Sequence, residues 1–384
     1  MESPPPGPSS DESTGPSAKV RPARRPEALL ARRGGAVELL RLPAFLFGKL
    51  AGLRGKLYDR GVLRTRKLEA PVVCVGNLSV GGTGKTPMVL YLLKELSDRG
   101  RNPGVLSRGY RSPEAGAKND EGLLFEVLSP GLAQVQNPDR VAGGRELIKR
   151  GVDVVVMDDG FQHRRLYRDL DLVLVDATRP WGLPAVDSKA AVRAVLPRGL
   201  LRELPSALNR ADAIVLTRAD QVDDEMRAKL EGELHGFAPG RPIFWAVHRP
   251  AGLRSLLGGE EALVDLEGRR VSLVSGIGNP DAFEDTVRSL GAEVSEHLRF
   301  GDHHAFGPGD LAPLADLDQW IVTTAKDAVK LLDVLSPELL GRVRVLSIEM
   351  ALTKGEQVLE ALLDALPRSR AEQERRSIHG GLHG

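Results

Sequence analysis

The chain of 384 residues carries 41% hydrophobic and 27% charged residues and a formal net charge of +1. That balance suits a soluble globular protein with room for two domains, and it gives no reason to expect nucleic acid as a partner. The single cysteine, Cys74, excludes an intrachain disulfide and a cysteine metal cluster, and it fits a reducing compartment.

Residues 1–35 are rich in Pro, Ser, Gly and Arg and are expected to be a disordered tail. No apolar run approaches the ~20 residues of a membrane span. The opening MESPPPGPSS lacks the charged start and apolar centre of a signal peptide, so the chain is expected in the cytosol. From Arg21 to Lys67 basic residues dominate and only Glu27, Glu38 and Asp59 oppose them, which points that end toward an anionic partner. Within it, VELLRLPAFLFGKLAGLRGKLYDRG (37–61) mixes Leu, Phe and Tyr with Arg and Lys, interrupted by Pro43, Gly48, Gly52 and Gly55. Two readings fit this stretch: an amphipathic segment lying on an anionic bilayer, or a helix packed on the core with its charges exposed.

Beyond residue 69 strand and helix alternate. APVVCVGN (70–77) reads as a buried strand, and TPMVLYLLKELSDRG (86–100) as a helix with Met88, Leu92, Leu93 and Leu96 at helical spacing. Further apolar runs at 103–109, 152–160, 170–177 and 211–220 predict a parallel sheet covered on both faces. The pattern restarts at 241–248, 269–280 and 318–327, with Pro239-Gly240 as the junction. The expected units are a basic amphipathic segment (36–68), a kinase-like core (69–240), a second, smaller α/β domain (241–366) and a tail (367–384).

Between the first strand and helix lies GNLSVGGTGKTP (76–87), which departs from G-x-x-x-x-G-K-[ST] only in carrying Ser79 at the first glycine position. The rest of the loop supplies what a triphosphate needs. Gly81, Gly82, Thr83 and Gly84 allow close backbone approach, Lys85 meets the β/γ-phosphates, Thr86 offers a hydroxyl to Mg²⁺, and the helix start faces the anion. A second acidic strand end is expected to help hold Mg²⁺, and the run at 152–160 supplies Asp158 and Asp159. A GTPase fits less well, because TRAD (217–220) replaces the guanine-reading Asn and Lys with Thr217 and Arg218.

With SRGY (107–110), NDE (119–121), DDGFQH (158–163), LPRGLLRE (196–203), GIGNP (276–280), DHH (302–304) and TAKDAVK (324–330), the loop occurs in an order that resembles the tetraacyldisaccharide 4′-kinase (lipid A 4′-kinase) family. The resemblance covers about residues 37 to 365. It implies a P-loop NTPase-like parallel sheet core, a second smaller α/β domain and an N-terminal amphipathic helix that contacts the membrane, and it accepts Ser79 after Gly-Asn. It further implies ATP and Mg²⁺ as cofactors, a lipid disaccharide 1-phosphate as acceptor, an anionic membrane surface as partner with no obligate protein partner, and a peripheral place on the cytoplasmic face of the bacterial inner membrane.

Site roles follow from the same resemblance. Asp120 is the catalytic base, assisted by His303 and preceded by Asn119 where the family usually has glycine. Arg108, Gln162, His163, Arg202 and Glu203 contact substrate or phosphate, Asn77 braces the loop, and Thr323 and Lys326 are weaker candidates. An alternative of another class keeps Lys85, Thr86 and Asp159 but has no use for His303: an ATPase acting as a nucleotide-gated binding or scaffolding protein.

Overall fold

The computed structural model describes residues 26–109, 120–129, 131–184, 191–302, 304–332, 334–369 and 372–373, with backbone only at 26–28 and 120–121. In chain order the elements are α1 (Pro26–Ala31), α2 (Arg41–Asp59), β1 (Val72–Asn77), α3 (Lys85–Asp98), β2 (Pro103–Ser107), α4 (Asp120–Leu128), β3 (Ala133–Gln136) and α5 (Arg140–Lys149). There follow β4 (Val154–Asp158), β5 (Leu170–Asp176), β6 (Ala213–Thr217), α6 (Asp224–Phe237), β7 (Ile243–Ser255), β8 (Glu260–Glu261), β9 (Arg270–Ser275) and α7 (Pro280–Ser289). The last are β10 (Glu293–Arg299), β11 (Trp320–Thr324), α8 (Ala325–Leu331), α9 (Pro337–Arg342), β12 (Val343–Lys354) and α10 (Glu356–Asp364).

One sheet runs through the described residues in the order β10-β9-β11-β12-β7-β6-β5-β1-β4-β2-β3, with β8 on β7. Its central strands β1, β4, β5 and β6 are buried along their whole length, as their near-continuous Val, Leu and Ile require when helices cover both faces. On one face Met88, Leu92 and Leu96 of α3 pack with Leu359 and Leu363 of α10 over Val73, Val75, Leu172 and Val215. On the other, Leu230 and Leu234 of α6 join Leu208, Trp181 and Phe161 over Val173, Ile214 and Leu216. The mostly parallel α/β architecture expected from the alternating pattern is the one observed.

The long strand β7 decides how the second half meets the first. It runs parallel to β6 only from Ile243 to Ala246 and then continues past the end of that strand. β12 returns antiparallel along β7, and β11 and β9 follow β12 in parallel. The C-terminal ends of β9 and β11 therefore point back toward the C-terminal ends of β1, β4, β5 and β6. Open α/β sheets bind ligands at those strand ends, and here the crevice is walled from both sides.

The segment 37–61 forms a short 3-10 turn (Gly35–Leu40) and then the unbroken helix α2. Pro43 sits in its first turn, where the missing N–H does no harm. Two of the glycines are on the inner side with the buried Ala44: a Cβ added to Gly48 would lie 3.4 Å from Val195, and the Gly55 carbonyl accepts a bond from Arg164 (2.8 Å). Small residues let the helix lie close on the segments that follow β4 and β5. The opposite side leaves Leu39, Leu42, Phe45, Leu46, Leu50 and Leu53 each more than half exposed. Among the described residues no helix is long and apolar enough to cross a membrane.

Two differences from the composition-based reading concern the ends. Leu30 and Arg32, inside the stretch expected to be a tail, give their carbonyls to the buried Arg198 at 2.6 and 2.9 Å, and Arg198 also holds Glu38 (2.8 Å). Near the other end Glu372 is buried and paired with Arg101 at 2.7 Å. In both places a long-range arginine anchors a chain whose composition carries no periodic signal.

Candidate active site

The phosphate loop joins β1 to α3. Gly81 (φ 125°) and Gly84 (φ 88°) occupy the left-handed region, where only glycine sits without strain. A side chain on Gly84 would also lie 2.7 Å from Nε2 of His248 on β7. Ser79 needs no such freedom: it is buried in an antiparallel bridge with Leu201, flanked by Val80 N–H to the Leu200 carbonyl (2.8 Å) and Arg202 N–H to the Leu78 carbonyl (2.7 Å). The loop opens as extended chain pinned by the LPRGLLRE segment, so a serine serves where the strict pattern has glycine.

Asn77 braces the loop from beneath. Its Nδ2 donates to Thr83 Oγ1 (2.9 Å) and its carbonyl accepts from Gln162 Nε2 (2.9 Å). Gly76 is crossed by Phe161 so closely that an added Cβ would sit 2.5 Å from the Phe161 Cβ. The DDGFQH turn is thereby fixed over the end of β1.

That turn places two carboxylates differently. Asp158 is buried at the end of β4, paired in register with Val75. Asp159 adopts φ 50°, an uncommon conformation for a residue with a side chain and one that gathers at functional sites. Arg202 Nη1 donates to both of its oxygens (2.7 and 2.8 Å), and Lys85 Nζ stands 3.6 Å away. Burial pushes the Asp159 pKa up, but Lys85, Arg202 and Arg140 outweigh it and hold it at about 2. Asp159 is thus anionic at any working pH.

His163 is half-buried, and its Nε2 has no hydrogen-bond partner among the described residues. Burial first, then Arg140 and Arg54, lowers its pKa to about 4, so the ring is neutral near pH 7. Glu203 is engaged by Arg210 at 3.0 and 3.2 Å, and Arg210 in turn lies over the Phe161 ring. Arg108 is exposed at the end of β2. The structure thus brings Asn77, Lys85, Asp159, Gln162 and Arg202 into one bonded set and turns Glu203 toward Arg210.

The candidate base and its assistant are only framed. His303 lies outside the described residues, as do Tyr110 and Asn119, and Asp120 is described by its backbone alone. The helix that Asp120 opens, α4, packs against α8. From α8, Lys326 bonds Asp302 (2.7 Å) and Lys330 donates to the His304 carbonyl (3.2 Å), so both neighbours of His303 are tied to the helix that α4 touches. Thr323 is buried and donates to the Val274 carbonyl (2.9 Å), a sheet role.

Four site residues escaped the sequence reading. Arg140, buried, donates to the Asn137 carbonyl (2.7 Å); burial lowers its pKa, and Asp158 and Asp159 act the other way. Asp176, Arg218 and Asn279 form a buried cluster behind the loop, with Arg218 on Asp176 at 2.5 Å and Asn279 on Asp176 at 3.1 Å. Asp176 had a signal in the acidic end of the run at 170–177, while Arg218 and Asn279 stood in TRAD and GIGNP without a site role.

A glycine loop at a helix start, a lysine, a helix hydroxyl and acidic strand ends define a P-loop phosphotransferase or NTPase. The comparisons narrow this. The family model described as Tetraacyldisaccharide-1-P 4'-kinase matches residues 36–367, and the chain belongs to that family. The Tetraacyldisaccharide 4'-kinase of Anaeromyxobacter sp. (strain K) is 40% identical over 363 residues, 89% of this chain and 93% of that protein. The protein of the same name from Syntrophus aciditrophicus (strain SB) is 40% identical over 316 residues, covering 73% and 80%. Among solved structures, LpxK from Aquifex aeolicus in complex with ATP shares 31% identity at a TM-score of 0.62, over 84% of this chain and 97% of its own.

Proposed function

We propose that this protein transfers the γ-phosphate of ATP to the 4′-hydroxyl of a tetraacyldisaccharide 1-phosphate at the cytoplasmic face of the bacterial inner membrane. The observation that carries the reading is the convergence of Lys85, Asp159 and Arg202 beside the start of α3 in a chain of this family.

The loop N–H groups and Lys85 receive the β- and γ-phosphates at the positive end of α3. Thr86 with Asp158 and Asp159 forms a hard oxygen donor set that suits Mg²⁺, which usually takes one or two carboxylates together with substrate phosphates. When bound, the ion neutralises charge on the phosphates. Asp120 accepts the proton of the attacking hydroxyl, and His303 orients it. Arg108, Arg202, Gln162 and His163 lie on the acceptor and phosphate side, with Glu203 fixing Arg210 beside them. Phosphoryl transfer asks the protein mainly for positioning and charge stabilisation, and the braced loop serves the first need.

The apolar outer side of α2, flanked by the exposed Arg41, Lys49, Lys56 and Arg60, supports a peripheral seat on an anionic bilayer. Labelled ATP supplied with and without the acceptor lipid tests the activity. The expected product is labelled lipid; labelled inorganic phosphate with no labelled lipid would favour a nucleotide-gated scaffold instead.

A further inference from the structure

The phosphate loop is held from behind by groups that the transfer reaction itself does not use. β5 and β6 end side by side at Asp176 and Thr217. Thr217 Oγ1 donates to the Thr83 carbonyl (3.0 Å). Arg218, the next residue, adopts φ 54° and donates both to the Gly82 carbonyl (3.0 Å) and to Asp176 Oδ2 (2.5 Å). Asn279, from the GIGNP turn after β9, donates to the same Asp176 oxygen and to Thr178 Oγ1, each at 3.1 Å. Asp176, Arg218 and Asn279 are all buried. The backbones also touch: a Cβ on Gly278 would lie 2.2 Å from the Gly82 nitrogen.

A trans peptide points its C=O and the following N–H in opposite directions. Pinning the Gly82 carbonyl through Arg218 therefore fixes the Thr83 N–H, which closes a turn on the Gly81 carbonyl (3.1 Å). Pinning the Thr83 carbonyl through Thr217 fixes the Gly84 N–H on the side away from Thr217. A left-handed backbone is strained for a residue with a side chain, and the buried Arg218 is held in it by Asp176 and the Gly82 carbonyl, with Asn279 donating to the same Asp176 oxygen.

We propose that Asp176, Arg218 and Asn279 are a positioning cluster that sets the shape of the phosphate loop and makes the turn after β9 part of the nucleotide site. The proposal rests on the loop receiving the phosphates of ATP. None of the three touches the reacting atoms; each acts through the Gly82 and Thr83 peptides.

Asn279→Asp separates this role from folding. Asn279 also caps α7 by accepting from Ala282 N–H (3.3 Å), and aspartate caps as well as asparagine. The substitution keeps the cap but sets a second carboxylate against Asp176. The expected result is a folded protein, judged by its melting temperature, whose KM and Kd for ATP rise at least tenfold while KM for the lipid acceptor is unchanged. Gly278→Ala, which forces the turn away from Gly82, should give the same split. Should Asn279→Asp fail to fold, Arg218→Lys, which leaves a cation beside Asp176 but replaces the one Nη1 that serves both Gly82 and Asp176, is read by the same criterion. Wild-type ATP affinity in a folded variant, or equal losses for ATP and lipid, would overturn the cluster's role. Failure of the wild-type protein itself to bind ATP would instead remove the reading of the loop on which the cluster depends.

Discussion

Arg202 donates to both carboxylate oxygens of Asp159, and Lys85 stands 3.6 Å from one of them. Two cations thus share one carboxylate at the mouth of the phosphate loop, and incoming phosphate oxygens compete for the same donors. Lys85 is largely shielded, with a side chain 14% exposed, so its charge is only partly screened by water. Replacing it by methionine keeps the stem and removes the charge. Loss of one such donor to a developing anion costs roughly 10²–10³-fold in kcat. Lys85→Met is expected to fall in that range, measured as labelled lipid formed per minute, with KM for the lipid little changed.

The base assignment gives a different signature. Asp120→Ala should lower kcat about 10²–10⁴-fold, the usual contribution of a positioned acid or base, while ATP still binds with near wild-type Kd. If His303 acts through Asp120, His303→Ala on top of Asp120→Ala should add little, because residues acting as a unit are strongly non-additive. Additive losses in the double variant would separate the two residues. A folded Asp120→Ala enzyme at near wild-type rate would remove Asp120 from the mechanism.

How much of this was legible in the sequence varies with the range of the interaction. β1, α3 and the loop between them were readable because a buried strand, a glycine turn and a periodic helix are local patterns, and the structure places them at Val72–Asn77 and Lys85–Asp98. The acidic strand end at Asp158 was readable for the same reason. The glycines of the 37–61 stretch looked like interruptions, and only the packing shows Gly48 and Gly55 as the close-contact side of α2. Arg218 and Asn279 could not be picked out as site residues, because what marks them is a set of partners 42 to 136 residues away in the chain, and Arg140 is marked only by its burial. The continuity of the sheet through β7 was equally hidden, since strand pairing beyond Ala246 depends on β12 at the far end of the chain.

His248 gives a pH prediction with a defined sign. It is buried against Gly84, and burial, then Arg218, lowers its pKa from 6.5 to about 3, while Asp176 acts weakly the other way. Above pH 6.5 the ring is neutral folded or unfolded, and it contributes nothing to pH dependence. As pH falls from 6.5 toward 3 the unfolded chain takes up a proton that the folded protein refuses, so stability is lost over that interval. The slope is at most about 1.4 kcal/mol per pH unit for one such group. Between about pH 6.5 and 5, where carboxylates still contribute little, His248→Leu should show a flatter melting temperature against pH than the wild type. Parallel curves would mean that His248 takes up its proton in the folded state.

The proposed bilayer seat on the outer side of α2 rests on two kinds of attraction that can be measured apart. Lys49, Lys56 and Arg60 are exposed on or just beyond the helix, and juxtamembrane cations contribute about 1 kcal/mol each on an anionic surface. Replacing all three by glutamine should weaken binding to vesicles rich in anionic lipid on the order of a hundredfold and leave binding to neutral vesicles unchanged. Leu42, Phe45 and Leu50, each more than half exposed, supply the other part. Changing them to serine should reduce binding to both kinds of vesicle, and the loss should persist at 1 M salt, where the screening length is about 3 Å. Deleting 37–61 should abolish both. Sedimentation with vesicles at low and high salt separates the cases. If neither set of substitutions nor the deletion changes vesicle binding, the exposed leucines of α2 have some other occupant and the seat on the bilayer is lost from the account.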